Sequence, residues 1–219
     1  MMNRRLLLST GAAALFAGTG LFMSRKDGSR LLVGMANAQE GEAPEITEMV
    51  LGDPDAAVEV IEYASFTCPH CATFHAGQFK QLKENYIDTG LIRFVYRDVY
   101  FDRFGLWASM VARCGGNTDR FFAVVDQIYE NQSEWTSSGD PAVMVEELKK
   151  YGKIAGMDSA DLDACMSDAA YAQGLVEWYE ANAEADGIRS TPSFIIDGES
   201  HSNMSYDDFA AILDEKLAG

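Results

Sequence analysis

The chain has 219 residues, of which 47% are hydrophobic and 23% charged, with 5 Pro and 4 Cys. That length and apolar fraction exclude a disordered or collagen-like chain and allow a core that holds without stapling. With 17 Lys+Arg against 34 Asp+Glu the formal charge is −17, so neither nucleic acid nor an anionic membrane surface has a reason to attract it.

The start of the chain reads as a targeting segment. A basic opening (Arg4, Arg5), an uncharged run from Leu6 to Met23 and the small-residue site Ala36-Asn37-Ala38 are the parts of an export signal. Residues 1–38 are expected to be that signal, cleaved after Ala38; a retained membrane anchor is the alternative. The Arg4-Arg5 pair partly matches a twin-arginine signal, so the export route stays open. Export implies an oxidising compartment, here the periplasm, where paired cysteines persist as disulfides. The signal holds five basic residues and one acidic. Without it 12 basic and 33 acidic residues remain, a net charge of −21 over 181 residues.

Residues 39–46 are polar with Gly and Pro and read as a linker. Ala57 to Ala64 is rich in β-formers and predicts a buried strand. Cys68-Pro69-His70-Cys71 follows, then Phe74, Phe79, Leu82 and Tyr86 at helical spacings up to Gly90, and a second strand over 91–97. Strand–helix–strand order implies parallel pairing through a right-handed crossover. Residues 103–186 lack strand-like runs and predict helices over 104–114, 118–131, 141–151 and 159–186, the last broken near 168. Strand character returns at Ser193–Ile196, the chain turns at Asp197-Gly198, and a helix over 205–217 closes it. Residues 47–102 and 187–219 thus form one α/β domain, and 103–186 are a helical insertion, too long for a loop.

The C-x-x-C lies where a strand gives way to a helix. The first sulfur then sits at the helix N-terminus, where unpaired N–H groups and the positive dipole end favour a thiolate. Pro69 suits the first turn because it has no N–H to waste. His70 adds a donor beside the sulfur. A stabilised first thiolate is a good leaving group, which makes the disulfide an oxidant. Glu62, six residues before Cys68, is either a solvated edge carboxylate or a buried acid that exchanges a proton with Cys71. Thr191-Pro192 opens the late strand; residue statistics alone favour an ordinary trans bond there.

Glu62-Tyr63-Ala64-Ser65-Phe66-Thr67-Cys68-Pro69-His70-Cys71, with Gly187-Ile188-Arg189-Ser190-Thr191-Pro192-Ser193-Phe194-Ile195-Ile196-Asp197-Gly198 far downstream, resembles the DsbA-type thiol:disulfide oxidoreductases. The resemblance covers residues 45–219 and implies a thioredoxin fold with an inserted helical subdomain. It implies that Cys68 is the exposed nucleophile, Cys71 the buried resolving cysteine, His70 a stabiliser of the Cys68 thiolate and Glu62 the buried acid. It also implies that the Thr191-Pro192 bond is cis and lends backbone groups to a bound substrate chain. The partners it implies are reduced or unfolded exported proteins and a quinone-linked membrane reoxidant of the DsbB kind. A monomer without metal or cofactor is expected.

Cys114 and Cys165 remain, 51 positions apart in the insertion. In an exported protein an even remainder suggests a second, structural disulfide; two buried free thiols are the alternative. Within the redox class an isomerase or reductase competes with the oxidase reading. From another class, Cys68, His70, Cys71 and His75 offer zinc ligands, but no second C-x-x-C or H-x-x-x-H completes a tetrahedral set. His75 is expected at the surface and His201 in a turn. The aromatics Tyr96, Tyr100, Phe101, Phe104 and Trp107 are expected in the core, with a peptide groove as the alternative.

Overall fold

The computed structural model describes residues 44–219; the expected export signal and the first part of the linker lie outside them. The first strand comes earlier than the sequence predicts. β1 (Met49–Gly52) pairs antiparallel with the later strand β3 (Ile92–Asp98). Four residues carry too little alternation to announce themselves as a strand. It ends at Gly52, where φ is 86° and a Cβ would stand 2.2 Å from the Ile92 carbonyl oxygen, so no other residue fits there.

β2 (Val58–Ala64) is the predicted buried strand and runs parallel to β3, with Glu62 opposite Tyr96. The segment between them is not one helix. It breaks at Gly77 into α1 (Pro69–Ala76) and α2 (Gln78–Leu82), and a π-helical stretch over Lys83–Ile87 continues the second.

Six helices follow: α3 (Arg103–Arg113), α4 (Thr118–Glu130), α5 (Gln132–Trp135), α6 (Pro141–Ile154), α7 (Ser159–Ser167) and α8 (Ala169–Ala185). Their starts follow side-chain chemistry. Asp102, Asn117, Asp140, Asp158 and Asp168 each accept a hydrogen bond from a first-turn N–H of the helix they precede, contributing about 1 kcal/mol apiece. Asp168, at φ −78° and ψ 89°, also interrupts the run that the sequence predicts to break near 168. The short α5, whose only buried residue is Trp135, carries no periodicity to find.

The chain re-enters the sheet as β4 (Ser193–Ile196), antiparallel to β2. Asp197 (φ 47°) and Gly198 (φ 80°) make a two-residue turn into β5 (Glu199–Ser202), and α9 (Tyr206–Leu217) closes the fold. His201 therefore lies in a strand and not in a turn; its polar neighbours Glu199, Ser200 and Ser202 hide that strand in the sequence. The sheet order is β1-β3-β2-β4-β5, which puts β2 at the centre.

Central placement explains the burial along β2. Side chains alternate across the sheet, so Val60, Glu62 and Ala64 share one face and Ile61 and Tyr63 the other. The first face meets Phe74, Phe79, Phe94, Phe194 and Phe209 in the larger core; the second packs with Val95, Ile195, Ala183 and Ile188. Each of these fully covered phenylalanines contributes about 1.5–3 kcal/mol. The larger core continues into the helical block through Phe121, Val125, Trp135 and Leu148. Cys114, at the end of α3, and Cys165, in α7, are joined in a disulfide with a Cα separation of 5.8 Å.

The aromatic stretch divides. Tyr96 is fully buried, but Phe101 is 59% exposed, and Phe104 and Trp107 are half-buried with the Arg103 guanidinium over both rings, at 4.9 and 5.4 Å. Their inner sides pack against the larger core.

Candidate redox site

Ser65, Phe66 and Thr67 carry the chain from the C-terminal end of β2 into α1, and several side chains fix that turn. Phe66 is buried against Tyr96 and Tyr129, with ring centroids at 5.8 and 5.2 Å. The Thr67 hydroxyl donates to the Asp102 carboxylate at 3.0 Å. The Gln132 amide, from α5, donates to the carbonyls of Phe66 (2.8 Å) and Cys68 (3.0 Å).

Cys68 is the N-cap of α1, with Pro69 in the first helical position. The N–H groups of Cys71 and Ala72 close the first turn on the Cys68 carbonyl. Both Cys68 and Cys71 are free thiols, 8% and 0% exposed. The Cys68 sulfur lies 3.5 Å from the Thr191 carbonyl oxygen, and the Thr191-Pro192 bond is cis. The distant T-P thus stands directly over the first cysteine.

The two thiols are pulled in opposite directions. Cys68 is lowered to about 5, first by the hydrogen bond from the Cys71 thiol, against the cost of its own burial, and then by the backbone N–H groups of Cys71 and His70. Cys71 is raised, first by burial, then by its bond to Cys68 and by the charge of Glu62. His70 is exposed; its share in stabilising the sulfur comes through the backbone N–H.

Glu62 is 0% exposed, and both carboxylate oxygens face the His75 Nε2, at 3.1 and 3.0 Å. His75 is therefore not a surface residue: it is 3% exposed, stacked on Tyr129 at 4.4 Å and tilted against Phe79 at 4.5 Å. The reason is its position four residues after Cys71, which puts it on the same buried helix face. With Nε2 turned to Glu62, His75 does not converge with Cys68, His70 and Cys71. Alternation along β2 buries Glu62 and the i, i+4 spacing on α1 buries His75, but neither pattern contains their meeting. Gln132 leaves no such signal, since a polar residue after a helix end is an ordinary sight.

A free dithiol at a helix N-terminus, facing a cis-proline loop in a sheet of this order, defines a thioredoxin-type redox site. The sequence agrees: the thioredoxin family model matches residues 45–215, and the chain belongs to that family, as a DsbA-type member of it. It is 32% identical over 170 residues to a putative protein-disulfide oxidoreductase of Rickettsia bellii, covering 78% of this chain and 64% of that protein. The chain thus spans less than two thirds of that relative's length. Against disulfide bond formation protein D of Bacillus subtilis the identity is 24% over 178 residues, covering 78% of this chain and 77% of the other. Among solved structures it is similar to alpha-DsbA1 of Wolbachia pipientis, with a TM-score of 0.73 and 25% identity over 80% of this chain and 93% of that one. BdbD of Bacillus subtilis shares the fold, with a TM-score of 0.70 and 21% identity over 78% of this chain and 94% of that one.

Proposed function

We propose that the protein is an exported, periplasmic thiol:disulfide oxidase that donates a Cys68–Cys71 disulfide to newly exported proteins. The observation that carries this is the opposed pair of thiols, Cys68 lowered to about 5 and Cys71 raised. Lowering Cys68 from 9.0 to about 5 favours the reduced pair about a hundredfold at pH 7, and a pair stabilised when reduced is an oxidant when oxidised.

In this reading a substrate thiolate attacks the Cys68 sulfur. The Cys68–Cys71 bond breaks, and Cys71 leaves and takes up a proton, as its raised affinity demands. A second substrate thiolate then attacks the substrate sulfur of the mixed disulfide and releases Cys68 as its stabilised thiolate. Two electrons pass from substrate to the pair; of the two substrate protons, one ends on Cys71 and one in solvent. The carbonyl of Thr191, ahead of cis-Pro192, offers backbone to an extended substrate chain beside Cys68. A quinone-linked membrane protein of the DsbB kind would take the two electrons onward, and the working form is a monomer. Among the described residues no helix is long and apolar enough to cross a membrane.

The test uses a reduced dithiol peptide and the oxidised protein. Cys68→Ser should abolish peptide oxidation, and Cys71→Ser should trap the mixed disulfide. Full turnover by Cys68→Ser would end the reading. A reduction potential at the thioredoxin end of the scale would make the protein a reductant instead.

A further inference from the structure

Cys71 poses a problem that the proposed cycle leaves open. Its sulfur is 0% exposed, yet it must gain a proton whenever the pair is reduced and lose one whenever the pair is oxidised. Glu62, whose charge acts on Cys71, is equally sealed and has no direct route to solvent. Its hydrogen-bond partner is the His75 Nε2, which both carboxylate oxygens approach.

His75 also lines a surface cleft of about 540 Å³, with Lys80, Asp126, Tyr129 and Glu130 on its walls. The second ring nitrogen, Nδ1, is buried and has no protein partner. A histidine locked by hydrogen bonds to protein on both nitrogens would be a structural prop. One nitrogen on a sealed carboxylate, in a side chain that borders an open cleft, is the arrangement of a proton shuttle.

We infer that His75 relays the proton of Cys71 between Glu62 and the cleft. His75 touches neither sulfur and acts through Glu62. When the reduced pair is reoxidised by a disulfide R–S–S–R, the Cys68 thiolate first forms Cys68–S–S–R and releases one R–S⁻. The Cys71 proton then passes to the Glu62 carboxylate as the Cys71 sulfur attacks Cys68, and the second R–S⁻ leaves. Glu62 hands that proton to Nε2 while Nδ1 releases its own toward the cleft. Two electrons have moved from the cysteine pair to the small disulfide, and the relay is restored by one change of tautomer. On reduction of the pair the path runs inward.

The charged and titratable groups around the ring come from four elements: Glu62 on β2, Tyr96 on β3, Lys80 on α2, and Asp126, Tyr129 and Glu130 on α4. Tyr96 and Tyr129 share a 2.8 Å hydrogen bond between their hydroxyls and are held protonated by complete burial. They line the path without competing for its proton. Asp126, which burial raises, and Glu130 stand at the mouth as acceptors.

Reoxidation by a small disulfide tests the relay, because the first phase reads Cys68 alone and the second, ring closure, reads Cys71. His75→Gln, which keeps a hydrogen bond to Glu62, should leave the first phase and the Cys68 titration intact and slow closure about a hundredfold. His75→Ala should slow closure likewise, and added imidazole should restore it. Pyrazole, the isomeric ring of far lower basicity, should not. The double variant Glu62→Gln with His75→Gln should be no slower than Glu62→Gln alone, since the two act in series.

An unslowed second phase in His75→Gln, equal rescue by pyrazole, or additive losses in the double variant would each overturn the relay. The inference rests on the redox pair proposed above but not on its physiological direction. A reductase would show the same two phases, so a failed relay and a failed oxidase reading are told apart. Should His75→Ala lose its Cys68 titration, signalling a disturbed fold, His75→Gln and the double variant still decide.

Discussion

Cys68 and Cys71 are the same residue type three positions apart, yet they face opposite environments. Cys68 has donors around it and Cys71 has burial and a carboxylate charge. This split has a consequence for stability. The reduced, folded Cys68 titrates at about 5, against 9.0 ordinarily. The stabilisation it gives the reduced fold is therefore complete above about pH 9 and lost as the pH falls through 5. Denaturant unfolding of the reduced protein should show stability rising between those limits, with Cys68→Ser losing that rise. An unchanged slope in Cys68→Ser would remove Cys68 as its source. The position of Cys68 at a helix N-terminus is legible beforehand, because it is local. The His75–Glu62 pair is not, because it needs the distance between a strand face and a helix face, which spacing within one element does not contain.

Among the elements, the start of α3 does two things at once. One Asp102 carboxylate oxygen accepts from the N–H groups of Phe104 (2.8 Å) and Gly105 (3.0 Å), and the other accepts from the Thr67 hydroxyl next to Cys68 (3.0 Å). Asp102→Ala should cost about 1 kcal/mol through the lost cap and should also free the turn before Cys68. Asp102→Asn keeps the cap and should recover most of the stability. Thermal unfolding of the two variants separates them, and equal losses would mean that the cap contributes nothing. The long helices were legible because residues 103–186 hold a helical pattern with no strand-like run. The break at Gly77 and the π-helical stretch after Leu82 were not, since Phe79, Leu82 and Tyr86 keep a plausible helical period straight through both.

At the scale of the whole molecule, the α/β order and the helical insertion could be read because each is a long run with its own period. The strand pairing of β1 and β5 could not, because edge strands of four residues take their partners from the finished sheet. The Cys114–Cys165 disulfide closes a separation of 51 residues, and the chain-entropy model assigns such a closure about 4 kcal/mol. Replacing both cysteines with Ser should lower the unfolding free energy by up to that amount while the Cys68 titration stays near 5. A shifted titration would show that the second disulfide also tunes the first pair.

The bonds from Gln132 to the carbonyls of Phe66 and Cys68 carry one more implication. They come from the helical block, as does the Tyr129 ring against His75. The thioredoxin halves therefore do not hold their redox turn alone, and excising the helical block would remove the contacts that fix the turn before Cys68. A chain competent in thiol exchange is then a chain whose helices have already packed. Thiol exchange by the proposed pair would then report on the folding of the helical block.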